Sequence, residues 1–63
     1  MNNWNTILKN TQKFIDYTKG FPKRYQEAFL LGYINGIVDN TKINNDQAHL
    51  LLDLKDEAVG LKK

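Results

Sequence analysis

"AFLLGYINGIVD" (residues 28–39) is the most apolar segment of a 63-residue chain, and it holds two glycines four positions apart. A glycine inside a helix costs about 1 kcal/mol relative to alanine, so a helix that keeps Gly32 and Gly36 needs an offsetting reason. Two readings compete. "NG" is a strong two-residue hairpin signal, and "LLGYI" and "IVDNT" would be its arms, making residues 31–41 a ribbon. The helical reading sets Ala28, Gly32 and Gly36 on one ridge of very small residues, because every fourth residue returns to the same side of a helix. A lone hairpin is marginal in water, and the segments on both sides read as helices, so the helix is preferred. A small-residue ridge lets another backbone approach closely and adds dispersion contacts along its length.

Upstream, Pro22 suits the first turn of this helix, which then spans about 22–39. Tyr25, Phe29, Leu30, Leu31, Tyr33, Ile34, Ile37 and Val38 surround most of the cylinder, the pattern of a helix buried on several sides. Before it, Trp4, Ile7, Leu8, Thr11, Phe14 and Ile15 recur at spacings of three and four and predict an amphipathic helix over about 3–19. Asn2 or Asn3 can cap its start. Lys19, a left-handed Gly20, Phe21 and Pro22 mark its end. Downstream, "DNTKINN" is a polar connector. Asn44 with Gln47 forms a capping box, and Ile43 and Ala48 are placed for a hydrophobic staple. A third helix over about 45–60 carries Leu51, Leu54, Ala58 and Leu61, widened by Leu50 and Leu52 and ended by Gly60, Lys62 and Lys63. The expected fold is a single all-α domain, residues 1–63, of three helices with the second at its centre.

Sixty-three residues bury a marginal core, and such chains usually need a disulfide, a metal or a partner. Cysteine is absent and His49 is the lone histidine, so neither disulfides nor a thiolate or histidine-rich metal site is available. No cofactor is expected. A net charge of +2 is too mild to point to a polyanion. The N-terminus lacks the basic start and apolar run of a signal peptide, and the apolar stretch 28–38 falls short of the ~20 residues that span a bilayer. The expectation is a cytoplasmic protein with no membrane association. Abundant Asn, Lys and Ile suggest an AT-rich coding sequence, that of a low-GC bacterium or its phage.

Two neighbours in one chain cover about two thirds of a helix, which leaves part of the second helix for a partner. The expected partner is a second copy, with Ala28, Gly32, Tyr33, Gly36 and Ile37 in the interface and the glycines near their own copies across a two-fold. The alternative is a monomer whose glycine ridge packs on the first helix. A third possibility is a helix-turn-helix with Ala28 in its first helix and Gly32 in its turn, although that would bury Glu27 and interrupt the apolar run.

"FLLGYINGIV" (29–38) resembles the signature helix of the LAGLIDADG homing endonucleases. The resemblance implies close helix–helix packing through Gly32 and Gly36. It does not carry the family's metal chemistry, because Ile37 stands where the metal-binding carboxylate would be and Asp39 lies two residues beyond.

Catalytic groups are hard to find. Serine is absent, and the threonines read as capping or solvated residues. Asp53, Asp56 and Glu57 read as a solvated acidic face beside Lys55, Lys62 and Lys63. His49 reads as a boundary residue, and Tyr17, Tyr25 and Tyr33 as core rims or an interface edge. Lys23 and Arg24 break a rule by sitting at a positive helix start. With Lys19 they make a basic turn that could contact an anion or a partner. The expected function is a small non-catalytic protein–protein interaction module. In its sharpest form it is a phage or mobile-element inhibitor or adaptor that binds a larger host protein. The alternative is a small DNA-binding transcriptional regulator that meets nucleic acid through Lys19, Lys23 and Arg24.

Overall fold

A computed structural model describes residues 3–61; the expected roles of Asn2, Lys62 and Lys63 fall outside them. Three helices follow in order: α1 (Trp4–Thr18), α2 (Lys23–Asn40) and α3 (Asn45–Ala58). No strand is present among the described residues, so residues 31–41 are not a hairpin. Local backbone chemistry explains the ends. The Asn3 side chain accepts the Thr6 N–H at 3.1 Å and starts α1. Asn44 accepts the Gln47 N–H at 2.8 Å while the Gln47 side chain accepts the Asn44 N–H at 3.0 Å, the reciprocal pairing of a capping box. Pro22 lies one position outside α2, and its carbonyl accepts the Tyr25 and Gln26 N–H groups at 2.9 Å.

Gly20 does not take the expected left-handed conformation; among the described residues only Gly60 has a positive φ, 81°. The reason is the short route into α2. Lys19 keeps right-handed helical angles, and the Phe21 N–H donates to the Thr18 carbonyl at 2.9 Å, turning the chain at once toward Pro22. At Gly60 no following helix constrains the chain. There the Leu61 N–H reaches the Asp56 carbonyl at 2.8 Å and the Gly60 N–H reaches that of Glu57 at 3.3 Å, which satisfies the orphan carbonyls of a helix end.

Each helix packs on the other two, so α2 is one wall of a triangle rather than an enclosed axis. The interior contains Ile15 from α1, Leu30 and Ile34 from α2, and Leu51 and Val59 from α3 and its cap. Phe14, Leu54 and Ala58 pack against its Ile15–Leu30–Val59 part. The α1–α2 seam is aromatic. Tyr33 stacks on Phe14 at 4.5 Å, Phe14 on Tyr17 at 6.1 Å, and Tyr17 and Phe21 meet edge-on at 6.0 Å. Phe21 meets Phe29 edge-on at 5.2 Å. Contacts of this kind contribute about 0.5–1.5 kcal/mol each beyond burial.

Polar residues complete the interior. Thr11, Thr18 and Gln26 are fully buried. The two threonines are satisfied locally, donating to the carbonyls of Ile7 at 2.7 Å and Ile15 at 3.0 Å. The Gln26 amide donates to the Thr18 hydroxyl at 3.3 Å, so it ties α2 to the end of α1 and leaves little unpaired polarity inside.

Candidate interaction site

The apolar circumference of α2 is covered on one side only. Gln26, Leu30 and Ile34 point inward, whereas Ala28, Gly32 and Asn35 are exposed. Large apolar side chains flank this strip. Tyr25 and Phe29 are each 52% exposed on one edge, and Leu31 (40%) and Val38 (43%) are exposed on the other. The expectation that α2 is buried on several sides therefore fails within one chain. So does the monomer alternative in which the glycine ridge packs on the first helix. A Cβ added at Gly32 or at Gly36 would meet no atom within 4 Å.

The five residues expected at one interface do not share a surface. Ala28, Gly32 and half-buried Gly36 lie along the open strip. Tyr33 is half-buried and held by Phe14. Ile37, also half-buried, lies about 180° around α2 from Ala28, since successive residues turn by about 100°. The helix-turn-helix placement fails too, because α2 continues unbroken through Gly32 to Asn40.

The basic turn is engaged within the chain. Lys19 pairs with Asp16 at 3.4 Å. The Lys23 ammonium donates to the Ala58 carbonyl at 3.1 Å and to the Gln26 side-chain oxygen at 3.4 Å. Lys23 is thus at the positive end of α2 and also at the negative end of α3, which accounts for its apparent misplacement. The Arg24 guanidinium sits 5.2 Å from the Tyr25 ring centroid, within cation–π range. Beside Lys19 and Lys23 an open groove of about 500 Å³ is lined by Ile15, Leu54, Ala58 and Glu57.

Lys55 departs from its expected place on a solvated face. Its ammonium is buried, 2.7 Å from an Asp56 carboxylate oxygen and 3.4 Å from one of Glu27. The hydrogen bond to Asp56 raises its pKa above the ordinary value, and Glu27 adds to this against the opposing effect of desolvation. Thr18, Gln26 and Lys55 are polar, yet spacing marks them as inward positions. Thr18 stands three after Ile15, Gln26 four before Leu30, and Lys55 four after Leu51. His49 is exposed.

Among the described residues no group of three or more His, Cys, Asp or Glu side chains could hold a metal ion. No described helix is long and apolar enough to cross a membrane. Comparison with protein-family models, with curated proteins and with solved structures found no match to this chain.

Proposed function

We propose that this chain is a non-catalytic interaction module that self-associates through the open face of α2 and, as a dimer, serves as an adaptor or inhibitor for a larger protein. The observation that carries the reading is the exposure of Tyr25, Phe29, Leu31 and Val38 around a strip of very small residues. Large apolar side chains exposed along both edges of one helix face mark an interaction surface. The small interior adds to it, since a chain of this size gains stability by burying more apolar area against a partner. Leu50 (51% exposed) on α3 and Leu61 (63%) beyond it lie off this face, and they supply apolar surface for a second, larger partner.

Gly32→Leu tests the reading. Nothing in the chain occupies the space beside Gly32, so the variant is expected to keep its helical circular dichroism and, as a monomer, to melt no lower than the wild-type monomer. A dimer should lose its mass by light scattering, because leucine would hold the facing backbones apart. A wild-type chain that stays monomeric at millimolar concentration, or a variant that dimerises unchanged, overturns the proposal. Duplex DNA binding that weakens steeply with salt would favour the nucleic-acid reading instead.

A further inference from the structure

We propose that the face of α2 is closed by a second copy lying antiparallel, with the two-fold axis near Gly32 and Arg24 of each copy meeting Asp39 of the other. This rests on the self-association reading above and adds the geometry and polarity of the pairing.

Arg24 and Asp39 are both exposed. At about 100° per residue they fall within about 40° and about 20° of the direction of Ala28, so both belong to the open face. Neither forms an ion pair with a described residue. They stand at opposite ends of the face, eight residues before and seven residues after Gly32, or about 12 Å and about 10 Å along the axis.

A two-fold interface is self-complementary, so each contact occurs twice. Laid antiparallel, two copies bring Arg24 to Asp39 at both ends. Laid parallel, they bring Arg24 to Arg24 and Asp39 to Asp39, two like-charge encounters. The helix dipoles also oppose one another in the antiparallel arrangement. The flanks follow the same symmetry. An axis perpendicular to the helices sets the Leu31–Val38 edge against its own copy and the Tyr25–Phe29 edge against its own copy. In the middle, the open space at Gly32 and Gly36 allows the axes to approach. A shallow crossing of about 20° keeps the two ends within reach of an extended arginine. Gly36 then faces Ala28 of the other copy rather than itself.

The chain has no cysteine among its described residues and none in its sequence, so introduced thiols report cleanly. Disulfide formation needs Cα atoms about 4.4–6.8 Å apart. The experiment compares Gly32→Cys alone, Ala28→Cys alone, and an equimolar mixture of Ala28→Cys with Gly36→Cys, each under mild oxidation. Antiparallel pairing gives cross-linked dimer from Gly32→Cys and from the mixture. Ala28→Cys alone stays uncrosslinked, its two copies being about 12 Å apart along the axis. In parallel, Arg24→Asp and Asp39→Arg are each expected to weaken dimerisation by roughly tenfold, and the double variant to recover to within a few-fold of wild type. Self-cross-linking of Ala28→Cys, or a double variant no better than the singles, overturns the antiparallel geometry while a measured wild-type dimer leaves self-association standing. A wild-type chain that is monomeric by sedimentation and gives no cross-link in any variant removes both.

Discussion

The two sides of α2 both carry large apolar side chains and differ in what those side chains meet. On the inner side, Leu30 is 0% and Ile34 1% exposed, and Gln26 is equally buried and hydrogen-bonded across to α1. On the outer side, Leu31 and Val38 remain 40% and 43% exposed, and the glycines face open space. Helical wheel position, rather than residue type, decides which leucine builds the monomer. The outer side is costly for an isolated chain twice over: it wets large apolar surface, and it keeps two glycines where alanine would strengthen the helix. Both costs are offset if a second backbone lies there.

The contrast is sharpest at adjacent residues. Leu30→Ala removes a fully enclosed side chain and should cost about 2–5 kcal/mol, enough to leave much of the chain unfolded, since small single-core domains rarely exceed about 3–5 kcal/mol. Leu31→Ala should change monomer stability by less than about 0.5 kcal/mol. Urea denaturation of both variants, at a concentration where the chain is monomeric, measures the difference; equal losses would erase the distinction between the two sides. A smaller effect of opposite sign is expected at Gly32. In the monomer Gly32→Ala should raise stability by about 0.5–1 kcal/mol, because the added methyl meets nothing and the helix gains propensity. A destabilised monomer would show that something of the chain's own fills that space.

The effect read from pH dependence belongs to Lys55, buried on α3. Its partners raise its pKa above the ordinary 10.5, so the folded chain holds this proton more tightly than the unfolded chain. The stabilisation is complete below the ordinary value and is lost as pH rises through the raised one. Melting temperatures of wild type and Lys55→Met, followed from pH 9 to 12, should show the wild type falling more steeply above about 10.5. Parallel curves would mean that the Asp56 and Glu27 contacts do not hold the proton in solution.

Much of this architecture was legible from residue types with strong local chemistry. Asn44 with Gln47 and Asn3 at the first helix start each bind particular backbone groups, so short-range pattern places them, and Pro22, expected in the first turn of the second helix, stands one position outside it. The helix over residues 28–39 was legible because its flanks excluded an isolated hairpin. Gly20 departs from its expected conformation because a glycine permits a left-handed turn without requiring one, and the nearby Pro22 start imposes a different path. For Gln26, Thr18 and Lys55 spacing gives the inward direction but not what satisfies a polar group there. Each also meets a partner across helices, and no single helix shows that Thr18 waits for Gln26 or that Glu27 waits for Lys55. The candidate interface was half legible: the small residues do share an open strip, but Tyr33 is taken up by Phe14. Lys23 looks misplaced in sequence only because the Ala58 carbonyl it meets lies 35 residues away.

Trp4 is the lone tryptophan, half-buried at the start of α1. The turn leading into α2 is at the far end of that helix, about 22 Å away. Tyr25, at the start of α2 and 52% exposed, is well removed from it. The chain therefore carries one native optical reporter of its own folding. Indole emission follows unfolding of the bundle, whereas tyrosine absorbance sums Tyr25 with Tyr17 and Tyr33 of the α1–α2 seam and responds to unfolding as well.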